Sequence, residues 1–279
     1  MRLTKHRPAP PGAPGLLTGS IPAVIHQTFE TDDLPPGMHA AARSWLDLNP
    51  DCAYVFSDAA DRRAFLAAHF DDRVRAAYDL IPNGALQADL WRYARLLVEG
   101  GVYADADSVC RMPLAELLAP ADRFVATRAV NVTCAVSNGF ICVAPGHPFL
   151  EAALERAVAL VLKSRGWFEG YDTTGPLNLG IAINRALGRD ERAALAHGRQ
   201  GTGAQGYRML VRRPSSAVIA DERDRPVLLV QYDGYRDELS GMGLTHWQQG
   251  RYYTNPYRRL RLAARAVRRG LGRVVRRPR

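Results

Sequence analysis

Residues 83–110 read NGALQADLWRYARLLVEGGVYADADSVC. Leu86, Leu90, Tyr93 or Ala94, and Leu97 recur at helical spacing, and Gly100-Gly101 supplies a C-cap that turns the chain into Val102, Tyr103 and Ala104. The pattern predicts a long amphipathic helix feeding directly into a buried strand. Asp105 and Asp107 would emerge at the carboxyl end of that strand, and alternate residues of an extended chain point the same way, aiming both carboxylates at one spot. Such a pair is costly unless a proton or a cation offsets the repulsion. A hard divalent ion that also bridges a phosphate is the usual solution. On the preceding helix, Asp89 and Arg92 are three residues apart and share a face.

Outward from this block the chain alternates strand and helix. IPAVIHQTF (residues 21–29) predicts a first strand through Val24 and Ile25, and MHAAARSWLDLN predicts a helix that stops at Asn49-Pro50. AYVF (53–56) reads as a second strand, with Ser57 or Asp58 as N-cap of a helix over AADRRAFLAAHF. Downstream, FICVA (140–144) is strand-like, HPFLEAALERAVALVLKS is helical, and TTGPLNLGIAINRALG places Thr174 near an N-cap, Pro176 at a first helical position and Gly188 at the close. YRMLVRR and RPVLLVQY are late strands. This order argues an open, largely parallel α/β sheet flanked by helices, with its site at the carboxyl ends of the strands.

Length and composition set the remaining bounds. The 279 residues suffice for one large domain with a real core. Cys52, Cys110, Cys134 and Cys142 show no CxxC spacing and are expected as reduced thiols. No run of eighteen apolar residues occurs and the N-terminal stretch lacks an apolar core, so the expectation is a cytoplasmic chain without a membrane span. The formal charge of +9 is local: residues 258–279 hold ten arginines and no acid, which leaves the rest near −1. The division expected is therefore a flexible, Pro/Gly-rich lead-in over 1–20, one catalytic domain over 21–257, and an arginine-rich tail over 258–279.

ALQADLWRYARLLVEGGVYADADSV resembles the central signature of the glycosyltransferases with a sugar-binding region containing a DXD motif, a group that includes initiating α-mannosyltransferases and, more distantly, clostridial glucosylating toxins. IPAVIHQTF, SWLDLNPDCAYVFSD, SNGFICVAPGHPFL and TTGPLNLG resemble the family's flanking segments in the expected order, together covering most of residues 21–180. The resemblance implies a GT-A fold with a Rossmann-like sheet, a UDP- or GDP-sugar donor, a glycan or lipid-linked acceptor, a divalent cation (Mn2+, with Mg2+ as the alternative), and transfer with retention. By position it makes Asp107 the direct metal ligand and Asp105 a contact to donor and metal. Asp89 and Arg92 would hold sugar hydroxyls and diphosphate, with Tyr103 lining the donor site. It assigns His26, Gln27 and Phe29 to the nucleotide pocket, although many relatives carry Trp where Phe29 stands, which weakens a stacking role. Near the end of the folded part, His246 would complete the metal site and Trp247 would cover the donor phosphates. Asn138 and Asp172 are candidates to face donor or acceptor sugar, and His147 reads as a turn residue.

Two other readings compete. Apolar-DxDxV is also the shape of the nucleophile motif of haloacid-dehalogenase-like phosphatases, with Asp105 as nucleophile and Asp107 as general acid. That chemistry needs a later lysine, and the chain has only Lys5 and Lys163. The other is a non-enzymatic binder of anionic surfaces acting through the tail. There Leu260, Ala264, Val267, Leu271 and Val274 or Val275 recur at helical spacing among arginines, while Gly270 and Gly272 weaken the helix. Without interleaved aromatics, nucleic acid is not an expected partner. The tail reads as an address, placing the enzyme peripherally on the inner face of a membrane.

Near an anionic bilayer each Lys or Arg contributes on the order of 1 kcal/mol, falling with salt. Truncation after Tyr257 is therefore expected to abolish most co-sedimentation with anionic vesicles at low salt, while metal-dependent donor hydrolysis in solution persists. Equal sedimentation of both forms would remove the membrane role.

Overall fold

Local capping chemistry fixes where the elements begin and end. In the computed structural model, which describes residues 1–164, 169–213 and 217–243, the chain opens with the short strand β1 (His6–Arg7) and continues into β2 (Val24–Thr28), α1 (Pro36–Leu48) and β3 (Ala53–Ser57). Asp58 accepts from Ala60 N and Asp61 N while the Asp61 side chain reaches back to the Asp58 N–H, a full capping box that starts α2 (Ala59–His69). Asp71 caps α3 (Asp72–Leu80) and Asn83 caps α4 (Gly84–Glu99). Gly100 ends α4 at φ +63° and Gly101 follows at +94°, so two consecutive left-handed residues make the sharp turn into β4 (Gly101–Ala104).

Beyond the Asp105–Ser108 turn come β5 (Val109–Cys110), α5 (Leu114–Leu117), β6 (Phe124–Arg128) and β7 (Val136–Val143). Then follow α6 (Pro148–Ser164), α7 (Gly170–Thr173), α8 (Pro176–Ala186), β8 (Gly198–Gln200), β9 (Tyr207–Arg212), β10 (Val218–Ala220), β11 (Pro226–Leu229) and α9 (Tyr235–Gly241). The described strands form one sheet in the order β1-β3-β2-β4-β7-β6-β9-β10-β11-β5, with β8 on β9. Pairing is parallel across β3-β2-β4 and between β6 and β9, and antiparallel elsewhere. Two antiparallel steps through β7 leave β6 and β9 running the same way as β4, so the carboxyl ends of β2, β4 and β9 share one edge. This is the helix-flanked α/β sheet expected of a GT-A-type chain.

The period-2 alternation of the strands splits the core in two. Tyr103, Phe124, Ile141, Val143 and Met209 pack against α2, α3, α4, α6 and α8. Val102, Ala104, Val125, Phe140, Cys142 and Leu210 face the other way, against α1 and α5. All four cysteines are free and buried, as expected. Among the described residues no helix is long and apolar enough to cross a membrane.

Two expectations change. The lead-in over residues 1–20 is packed rather than loose: β1 pairs with β3, Leu3 is buried, and Lys5 Nζ lies 2.5 Å from Asp58 and 2.8 Å from Asp61. Composition favoured a loop, but an unpaired edge of β3 offers hydrogen bonds to any adjacent extended segment. The helix α3 went unread because DDRVRAAYDL is short and mostly polar; only Val74, Ala77 and Tyr78 are buried in it.

Two buried histidines couple this core to pH. His147 sits in the turn before α6, where its Nδ1 accepts from Phe149 N and its ring packs between Phe124 and Phe149. Burial lowers its pKa to about 4, and burial followed by the charge of Arg95 lowers that of His26 to about 3. Both are held neutral, so the stability they permit is complete above the ordinary value near 6.5 and is lost as pH falls from there toward the folded-state values. Each histidine is expected to withdraw about 2 kcal/mol by pH 5. Urea midpoints at pH 8 and pH 5 check this, with His147→Gln expected to flatten the dependence by roughly its own share.

Candidate active site

The Asp-Ala-Asp segment is a turn, not a continuation of the strand. Asp105 O accepts from Ser108 N at 3.0 Å and from Ser108 Oγ at 2.6 Å, and Gln27 Nε2 reaches the same oxygen at 3.3 Å. The alternate-residue argument therefore does not apply. The two carboxylates are brought together because the chain folds back on itself between β4 and β5. Gly139 makes room for this: a Cβ there would stand 2.6 Å from Asp105 Oδ2.

Arg92 organises the surroundings from α4. Its guanidinium lies 3.4 Å from Asp89 Oδ1 and 3.3 Å from Asp105 Oδ1, and donates to Asn138 O at 2.5 Å. It also stacks over the Tyr103 ring at 4.2 Å, while the Tyr103 hydroxyl donates to Asp105 Oδ1 at 2.8 Å. Burial alone would lower the pKa of Arg92; Tyr103, Asp105 and Asp89 outweigh it and the guanidinium is held firmly charged. Burial pushes Asp89 up to about 6 against the opposing pull of Arg92. Asn138 fixes that carboxylate in turn, donating to Asp89 Oδ1 at 2.9 Å and to Thr174 O at 3.0 Å, and accepting from Tyr93 OH at 3.0 Å.

Asp107 is in a different position. Burial first, and Asp105 second, raise it to about 8; Gln231 Nε2 at 3.5 Å and Tyr235 are its hydrogen-bond partners. No described arginine or lysine forms an ion pair with it. Two hard carboxylates, one of them half-buried without a compensating charge among the described residues, fit a divalent cation. Asp105 and Asp107 would hold it, and the described residues add no third His, Cys, Asp or Glu to the cluster.

These groups line a cavity of about 510 Å³ at the carboxyl edge of the sheet, together with Phe29, Tyr103 and Asn138. That volume suits a ligand the size of a nucleotide sugar better than a lone ion. His26 stands apart, fully buried under the turn, with Nε2 donating to Gly100 O at 3.1 Å. Gln27 does not line the cavity either; held by Tyr54 OH at 2.8 Å, it supports the Asp105 carbonyl from below. Asp172 offers Arg156 its main-chain carbonyl, away from the cavity. His246, Trp247 and the tail over 258–279 lie outside the described residues.

The sequence reading passed over several wall residues. Arg62 of α2 is buried: it donates to Tyr78 OH, Thr28 Oγ1, Phe29 O and Glu30 Oε1 at 2.8–3.0 Å. Gln231, Tyr235, Arg236 and Leu239 enter from after β11, because β11 pairs with β5 and Tyr232 N donates to Asp107 O at 3.2 Å. Only pairing between segments more than a hundred residues apart brings them there. The two lysines lie elsewhere, Lys5 on Asp58 and Asp61 and Lys163 at the end of α6, so the site lacks the lysine a dehalogenase-like phosphatase requires.

Comparison with known proteins agrees with this geometry. Residues 35–125, from the start of α1 through the Asp105–Asp107 turn to β6, match the family described as glycosyltransferase sugar-binding region containing DXD motif. Inositol phosphoceramide mannosyltransferase 3 of Schizosaccharomyces pombe is 34% identical over 133 residues, covering 48% of this chain and 36% of that protein. Mannosyl phosphorylinositol ceramide synthase SUR1 of Saccharomyces cerevisiae is 32% identical over 165 residues, covering 58% of this chain and 41% of that one. The chain thus spans less than half the length of these curated relatives. Among solved structures, PaToxG Glycosyltransferase aligns with a TM-score of 0.47 at 17% identity, over 61% of this chain and 71% of that one. The likeness to DXD-motif glycosyltransferases seen in residues 85–109 is borne out.

The buried polar frame carries a stability consequence. Tyr93 OH donates to Thr174 O at 2.7 Å and to Asn138 Oδ1, joining α4 to the turn before α8. Tyr93→Phe leaves Asn138 Oδ1 without its donor and Thr174 O with only Asn138 Nδ2, and is expected to cost about 1–3 kcal/mol, measured as a lower urea midpoint at pH 7.

Proposed function

We propose that this protein is a glycosyltransferase that moves a hexose, mannose first among the candidates, from a nucleoside-diphosphate sugar to a hydroxyl of a glycolipid acceptor. The observation that carries the reading is the convergence of Asp89, Arg92, Tyr103, Asp105 and Asp107 on one cavity at the carboxyl edge of the sheet. The names of the relatives favour mannose and an inositol-phosphate headgroup.

In the reaction the bond from the anomeric carbon to the diphosphate oxygen breaks, a bond to the acceptor oxygen forms, and the acceptor proton leaves with the departing diphosphate. The resemblance favours retention at the anomeric carbon. A divalent cation held by Asp105 and Asp107, Mn2+ or Mg2+, would supply Lewis-acid stabilisation of the leaving diphosphate. Arg92 contributes a fixed positive charge on the same side, already oriented by its stacking on Tyr103 and its bonds to Asp105 and Asn138 O, so it need not reorganise as charge develops. Asp89, aligned by Asn138, accepts hydrogen bonds from sugar hydroxyls. Phe29 and Glu30, at the end of β2, lie on the side from which the nucleotide enters.

The arginine tail is read as an electrostatic address for the membrane that holds the acceptor. None of the residues assigned to the donor belongs to it.

A screen of nucleotide sugars for hydrolysis and transfer with Mn2+ present, read by product NMR for anomeric configuration, tests the reading. Activity is expected to vanish in excess EDTA and to return with Mn2+. Asp107→Ala should lower turnover about a hundredfold or more while leaving the fold intact, since it removes a half-buried carboxylate from beside another. Arg92→Lys should retain more activity than Arg92→Ala, because lysine keeps the charge but not the planar fork. Undiminished turnover in EDTA would sink the metal-dependent mechanism.

A further inference from the structure

The arginines that line the cavity are not equivalent. Arg62 and Arg92 are each engaged by several protein oxygens. Arg212, the last residue of β9, lines the same cavity half-buried, and no described residue hydrogen-bonds or ion-pairs with its guanidinium. Burial is the sole cause acting on its pKa, which is lowered; no carboxylate offsets the cost of taking this charge out of water. A half-buried guanidinium with no counter-ion among the described residues, in the wall of a ligand cavity, is completed by an anionic ligand, and its planar fork suits phosphate. Arg236, exposed on α9, adds a second positive charge to the cavity lining.

The sheet order decides which phosphate this is. Phe29 and Glu30 follow β2, and Asp105 and Asp107 follow β4, its direct neighbour. A donor entering at β2 therefore has its diphosphate beside β4. Arg212 stands beyond, on β9, separated from β4 by β7 and β6. By the other route it is two strands from β11, about 10 Å at ordinary strand spacing. When configuration is retained the acceptor hydroxyl reaches the anomeric carbon beside the departing diphosphate, and the rest of the acceptor occupies the part of the cavity that the donor leaves free, toward Arg212.

We propose that Arg212, assisted by Arg236, binds a phosphate group carried by the acceptor, and so selects acceptors whose reacting hydroxyl lies near a phosphodiester. The inference rests on the glycosyl-transfer reading above, and a binding measurement separates the two. Glycerophosphoinositol and myo-inositol serve as acceptor probes, titrated by calorimetry into the full chain with Mn2+ and saturating UDP or GDP. Glycerophosphoinositol is expected to bind at least tenfold more tightly than myo-inositol, and Arg212→Ala to erase that preference, with Arg212→Lys restoring part of it. Nucleotide affinity, titrated separately, should match wild type in both variants. In transfer assays Arg212→Ala should raise KM for the phosphorylated acceptor at least tenfold with kcat little changed. Weakened nucleotide binding in Arg212→Ala would assign the residue to the donor diphosphate and overturn the proposal. So would equal affinity of the two probes for the wild-type chain. If no nucleotide sugar is turned over yet the phosphate preference and its loss are seen, the glycosyl-transfer reading fails while the anion subsite stands.

Discussion

The site depends on one buried cation. Arg92 bridges the carboxylates of Asp89 and Asp105, stacks on Tyr103 and caps the Asn138 carbonyl, so a single guanidinium ties α4 to β4 and β7. Removing one partner of such a cluster leaves charges buried without compensation, a loss of about 3–5 kcal/mol in comparable cases. The cluster therefore holds the helix in register against the strand as well as orienting groups toward the cavity. Its members are fixed before any ligand arrives, and this is the condition for a charge to act without reorganisation.

Asp107 shows the opposite design. Its carboxylate is half-buried beside Asp105 without a cationic partner among the described residues, so it raises the energy of the apoprotein. A site held in that state gains affinity for a cation from the repulsion the cation relieves. Stability and ligand binding pull against each other here, as at many active sites. Arg212, whose guanidinium has no partner among the described residues, is the same arrangement with the sign reversed.

The cavity wall is completed by long-range pairing. β5, two residues beyond Asp107, joins β11, and this draws the following segment over the DXD turn. Glu238 of α9 then accepts from Gly37 N and Met38 N at the start of α1 and from Tyr232 OH. α1 has no side-chain cap of its own, and α9 supplies one from two hundred residues away. The wall that carries Gln231 and Tyr235 is thus anchored at both ends, on Asp107 and on α1.

What the sequence determined by itself is local. Periodicity and caps located α1, α2, α4, α6 and α8 and strands β2, β3, β4 and β7, because amphipathic spacing and the Gly100-Gly101 turn are written in adjacent residues. The block around Asp89, Arg92, Asp105 and Asp107 was legible for the same reason: one helix, one turn and one strand bring the four together, and the likeness to DXD-motif glycosyltransferases gave them roles. Tertiary structure decided the rest. It made Asp105-Ala106-Asp107 a turn, buried His26 away from the cavity, and made Gln27 a support for the Asp105 carbonyl. It also turned Arg62 and Arg212, polar positions with no helical or strand signal of function, into cavity walls. Burial and the presence or absence of a counter-charge are properties of what the fold places beside a side chain, and no window of neighbouring residues contains them.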